Sequence, residues 1–98
     1  MIDKELLDIL ACPETKEDVY LANDELISKV NQLIETQKLK NRNGDKITEK
    51  IDGGLLRADK KFMYPIREDI PIMLIEESVP MEGIIDISKE INAYIKKI

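Results

Sequence analysis

The apolar residues of this 98-residue chain follow two rhythms. Over residues 24–40, Leu26, Ile27, Val30, Leu33 and Ile34 recur at three- and four-residue spacing. That spacing makes one face of a helix and leaves Glu25, Lys29, Glu35 and Lys38 on the other. Asn23 or Asp24 would cap it, because a short polar side chain can accept from the first free backbone N–H groups. The same rhythm in Ile87, Ile91, Tyr94, Ile95 and Ile98 predicts a last helix over residues 86–98, capped by Asp86 or Ser88. Lys96 and Lys97 near its end suit the helix macrodipole. A short first helix, capped by Asp3 and carrying Leu6, Leu7, Ile9 and Leu10, would stop before Pro13. Proline biases the residue before it, here Cys12, away from helical ψ.

The second rhythm is that of strands. Val19, Tyr20 and Leu21 make a short one, and residues 47–51 alternate apolar and polar. Further strands are expected at residues 55–58, 62–66 and 71–75. Asn43-Gly44 marks a turn with positive φ, and Gly53-Gly54 a tight connection. The fold class is α+β in one domain. A small, mostly antiparallel sheet carries an N-terminal helix, an inserted middle helix and a C-terminal helix.

The segment Tyr64-Pro-Ile-Arg-Glu-Asp-Ile-Pro-Ile-Met-Leu74 is unusual for strand sequence. Pro65 and Pro71 have no N–H to give to a ladder, which confines them to edges, strand starts or bulges. Arg67, Glu68 and Asp69 suit a turn between them. The pattern is a plausible platform for another protein and a poor place for a catalytic group.

Composition narrows the function. The net charge of −5, with both signs interspersed, argues against a phosphate-binding surface, which needs clustered Lys and Arg. Four aromatic residues are too few to stack single-stranded bases. A lone thiol, Cys12, excludes an intramolecular disulfide and favours a reducing compartment. There is no signal-peptide pattern at the start and no apolar run near the ~20 residues of a membrane span. A cytoplasmic protein without a membrane partner is the expectation.

The motifs Leu6-Leu-Asp-Ile-Leu-Ala-Cys-Pro13, then Lys16, then residues 64–74, resemble one family over about a quarter of the chain. It is the small zinc-binding methyltransferase-activator subunit of eukaryotes and archaea, with its short bacterial relatives. The resemblance implies a family-like core at residues 1–22 and 53–80 and a helical insertion at about residues 23–52. It also implies a role: a non-catalytic subunit that binds a SAM-dependent methyltransferase acting on tRNA, ribosomal RNA or a release factor. Such subunits cover an apolar surface of the enzyme, partly by pairing strands edge to edge.

The chain departs from that family at its metal. Where the family has Cys-Pro-x-Cys, this chain has Cys12-Pro13-Glu14-Thr15, and the later cysteine would fall near Leu56 or Arg57. There is no histidine. Structural zinc needs four Cys or His ligands with only occasional carboxylate substitution. No metal and no other cofactor is therefore expected, and the inserted helix is expected to compensate by enlarging the apolar core.

Residue by residue, bland readings win at most positions. Cys12 has no histidine to activate it and reads as a small, partly buried hydrophobe. Thr15 has no base and reads as a hydroxyl bonded to the turn backbone. Asp69, Glu76 and Glu77 read as solvated carboxylates. Asp52 and Asp59 lack calcium-ligand spacing. The candidate site is a protein interface made by Pro65, Ile66, Arg67, Pro71, Ile72 and Met73, with Arg67 setting register through a charge-assisted bond. An exposed strand edge could also pair with itself and give a homodimer. The alternatives are an adaptor for another protein client, a nucleic-acid-binding module, and, last, an enzyme.

Overall fold

A computed structural model describes residues 10–86 and 88–96. The expected first helix, with Asp3, Leu6, Leu7 and Ile9, lies outside the described residues. The chain runs β1 (Val19–Leu21), α1 (Asp24–Glu35), β2 (Gly53–Arg57), β3 (Phe62–Arg67), β4 (Ile70–Pro71) and β5 (Val79–Pro80). The class is α+β, as the sequence implies: among the described residues, one α-helix lies against a curled antiparallel sheet.

The sheet order is β1-β2-β3-β4, and β5 also pairs with β3. β3 thus has β2 on one side and two short strands on the other. β4 pairs at its far end through Ile66↔Pro71 and Arg67↔Ile70, and β5 at its near end through Phe62↔Pro80 and Met63↔Val79. β3 and β4 join through Glu68 and Asp69, both left-handed at φ 52° and 62°. That is the geometry of a two-residue hairpin turn, formed here without glycine. Asp52 steadies it by accepting from the Glu68 N–H at 2.5 Å.

Alternation along the strands gives the sheet two faces. Leu56, Met63 and Val79 point towards α1, where they meet Leu26, Ile27, Val30, Ile34, Leu39, Ile47, Ile51, Met81 and Ile84 in the larger core. Leu55, Tyr64, Ile66 and Val19 point the other way and bury with Cys12. Gly54 lies on the helix side directly over Met63, and a methyl group there would overlap the Met63 sulfur. Gly53-Gly54 is therefore the start of a strand, not the tight connection the sequence suggested.

α1 begins at Asn23, whose side chain accepts from the Leu26 N–H at 2.9 Å. It stops at Glu35, short of the expected Lys40. Thr36 bonds back to the carbonyls of Gln32 and Leu33, and Gln37 turns left-handed at φ 58°. The Gln37 and Lys38 N–H groups then close on Ile34 and Leu33, which is a Schellman ending made with glutamine.

Two further expectations are corrected. Residues 47–51 form no strand, because the Asn31 side chain bonds both the N–H and the carbonyl of Ile51 and so replaces a ladder. The last helix is, among the described residues, a single 3-10 turn at Ile91–Ala93. Beyond it the chain extends along β1: Lys96 donates to Leu21, and Asn23 to Tyr94. Covering that sheet edge satisfies backbone groups that a helix would have left bare. Among the described residues no helix is long and apolar enough to cross a membrane.

Candidate functional site

Two arginines at strand ends organise the polar chemistry of the molecule. Arg57, the last residue of β2, lies on the sheet face opposite α1 with Val19, Phe62 and Tyr64. Its guanidinium grips Asp59 with two bonds, Nε to Oδ1 at 2.9 Å and Nη2 to Oδ2 at 2.6 Å. Nη1 donates to Glu14 at 3.0 Å and to the Cys12 sulfur at 3.6 Å. Arg42 takes the rest of Glu14 with a second fork, at 2.7 and 3.0 Å. Both guanidiniums also lie over the Phe62 ring, 4.1 and 4.8 Å from its centre. Each is an attractive cation–π placement.

Cys12 closes this cluster from below. It is fully buried, and its sulfur lies 3.0 Å from the Tyr64 hydroxyl. Burial pushes the thiol up, but hydrogen bonds from Tyr64, Thr15 and Arg57 outweigh it and bring the value down to about 6. Tyr64 is raised correspondingly, first by burial and then by its bond to Cys12. The Arg42 bond, reinforced by Arg57, holds the Glu14 carboxyl low. Asp59 is lowered as well, the Arg57 fork overcoming its burial. Arg57 itself is held more firmly protonated, chiefly by Asp59.

This is the place where the family resemblance would put a metal, and the donor set does not suit one. The group facing Cys12 is a guanidinium, a fixed cation with no lone pair to give. The Thr15 hydroxyl oxygen accepts from the Glu17 N–H at 3.3 Å, and the side chain also bonds to Cys12. Among the described residues no three His, Cys, Asp or Glu side chains gather with metal-holding geometry. The cross-link between the first turn and the end of β2 is instead a salt-bridge network. The sequence reading of Cys12 as a partly buried hydrophobe missed this, because the network joins residues 12, 14, 42, 57, 59, 62 and 64. A paired arginine and aspartate two residues apart at a strand end was the one local signal.

The six expected interface residues divide. Pro65 and Ile66 are corrected: β3 is central, and both are buried, Ile66 at 4% exposure. A strand flanked on both sides has no free backbone edge, and the burial of these two side chains keeps them from a partner's surface. Arg67, Pro71, Ile72 and Met73 are half-buried, with Met73 packed against Tyr64 and its neighbours. The exposed apolar residues of this margin are Ile70 and Leu74, 63% and 53% exposed.

Register explains the prolines. Ile72 donates to the Pro65 carbonyl at 2.9 Å, so the backbone of Pro65 faces β4 and that of Pro71 faces away from the sheet. The N–H that Pro65 lacks would point where β4 ends and β5 has yet to begin. Pro71 and, by the same reckoning, Pro80 lack theirs on the outer rims. The β4 margin therefore shows an added strand one carbonyl at Pro71 and no donor. Its apolar side chains, not its backbone, are what it offers.

Arg67 sits at that margin, across from Ile70. It helps line a cleft with Asn41, Lys46, Thr48, Glu49 and Glu77. Its Nη2 makes one long bond of 3.3 Å to the Glu49 carbonyl. Its Nε is buried without any acceptor, the one such side-chain atom among the described residues. An unmet buried donor costs about 1–3 kcal/mol.

Comparison with known proteins adds kinship. No family model matches the chain. A UPF0434 protein of Ehrlichia ruminantium is 37% identical over 82 residues, covering 84% of this chain and all of the relative. A UPF0434 protein of Magnetococcus marinus is 30% identical over 83 residues, covering 85% of this chain and 95% of the relative. A Xylella fastidiosa protein solved in solution by NMR shares the fold, with a TM-score of 0.66 over 99% of this chain and 93% of that one at 22% identity. The identity to these bacterial proteins, sustained over almost their whole length, places the chain in the UPF0434 family.

Proposed function

We propose that this protein is a non-catalytic binding subunit that stabilises or activates a SAM-dependent methyltransferase of the translation machinery. The observation that carries the binding part is the β4 margin. Ile70 and Leu74 stand exposed there, beside half-buried Pro71 and Ile72. Large exposed apolar side chains in one segment suit a surface that another protein covers. The methyltransferase as partner is supported by the resemblance of residues 6–13 and 64–74 to the activator subunits. The non-catalytic reading has its own support: Cys12, whose thiol is brought down to about 6, is fully buried and so kept from any substrate.

The docking mode follows from the prolines. Strand addition at β4 would find no donor at Pro71, so side-chain contact supplies the affinity. The test is affinity purification from the native cell, followed by mass spectrometry, with the wild type and an Ile70→Asp variant. The wild type should recover a methyltransferase and the variant should lose it while keeping its fold. Recovery of another protein client alone would favour the adaptor reading. An Ile70→Asp variant that keeps every partner would remove β4 from the interface.

A further inference from the structure

We propose that the Arg67 cleft receives an aspartate or glutamate side chain from the protein partner; this rests on the protein-binding reading above and specifies its chemistry. Among the described residues, no carboxylate pairs with Arg67. Glu49 and Glu77 line the same cleft, yet no ion pair joins either to it. Its single bond is to a backbone carbonyl, at 3.3 Å, and its Nε has no acceptor. A guanidinium held this loosely can turn. A carboxylate meeting Nε and a terminal nitrogen together would form the two parallel bonds for which the planar fork is built.

The surroundings favour a protein over a small anion. A free acetate or phosphate would gain one arginine and Lys46, and would meet Asp45, Glu49 and Glu77 nearby. A protein segment brings more. Ile70 lies directly across the ladder from Arg67 on the same face, and Leu74 follows it. An acidic side chain flanked by apolar ones would meet Arg67 with its charge and Ile70 and Leu74 with its apolar groups, and those apolar contacts offset the neighbouring carboxylates.

The experiment reads the Nε–H resonance of each arginine in the full-length, nitrogen-labelled protein. The probes are two blocked tripeptides, acetyl-Leu-Glu-Leu-amide and acetyl-Leu-Gln-Leu-amide, with sodium acetate as a third. The glutamate peptide should move the Arg67 Nε–H at least tenfold further than the glutamine peptide or acetate at equal concentration. Arg57 should not move. Equal shifts with both peptides, a shift with acetate alone, or no shift at Arg67 would overturn the proposal. So would an Arg67 shift that grows with protein concentration in the absence of peptide, since the occupant would then be a second copy of the chain. Co-purification separates this from the reading beneath it. If a methyltransferase is captured equally by the wild type and by Arg67→Gln, the carboxylate site falls and the subunit role stands. If Arg67 responds to the glutamate peptide but no methyltransferase is captured, the site stands and the choice of partner falls.

Discussion

Arg57 ends β2 and Arg67 ends β3, and the sheet carries their side chains to opposite faces. Arg57 is 5% exposed, doubly bonded to Asp59, and further bonded to Glu14 and Cys12. Arg67 makes one long bond and buries a donor with nothing to bond to. The same residue type serves as a staple in one place and as an unfinished contact in the other. Sequence context does not separate them, for both follow apolar strand residues and both precede an acidic residue within two positions. The difference lies in what the fold brings to each: the first turn and Arg42 loop on one side, and an open cleft on the other.

The sharpest way to break this contrast is to remove the staple. Arg57→Met should destabilise the fold by about 3 kcal/mol, since it strands Glu14, Asp59 and the sulfur without their shared cation. Urea denaturation measures this. A loss below about 1 kcal/mol would mean that the cluster is not what ties the first turn to the sheet.

The next effect is one of pH. In the unfolded chain the Cys12 thiol has its ordinary value of 9.0, and in the fold it is about 6. Its contribution is therefore complete above about pH 9 and is lost as the pH falls through about 6. Stability should rise across that window by a few kcal/mol at most, since each tenfold change in the acidity of one group is worth about 1.4 kcal/mol. Thermal unfolding scans at several pH values will show it. Cys12→Ala should flatten the rise; if the slope survives in that variant, another group is responsible.

Substitutions at the open side should be milder. Ile70→Asp should change stability by no more than about 0.5 kcal/mol, because the side chain already meets solvent. Ile66→Asp, one strand inwards, should unfold the protein, because it buries a charge without a partner. Circular dichroism distinguishes the two. Arg67→Met should not destabilise the fold and should stabilise it by about 1 kcal/mol, because it removes an unmet donor. A large loss there would show that Arg67 is structural and would bring it level with Arg57.

Much of the molecule was legible in the chain. The helical spacing of Leu26, Ile27, Val30 and Ile34 gave α1 and its buried face, and the cap was narrowed to Asn23 or Asp24, of which Asn23 serves. The apolar runs gave β1, β2 and β3. Those are local signals, set by a residue and its neighbours three or four positions away. Expectations failed where a distant partner intervened. Residues 47–51 alternate like a strand, but the Asn31 amide took their backbone bonds. Residues 86–98 have helical spacing, but the open edge of β1 drew Lys96 into extended pairing. Pro65 read as an edge residue, and it occupies a central strand because β4 and β5 divide that side of β3 between them.

The sequence by itself determined the α+β class, the amphipathic helix and the hydrocarbon core. Each of these follows from residue type and short-range periodicity. Only the tertiary structure decided that Cys12, Glu14, Arg42, Arg57, Asp59 and Tyr64 form one closed cluster, and that Arg67 is left open. Charge pairing depends on distances of a few ångströms between residues far apart in the chain, and the fold of the sheet sets those distances.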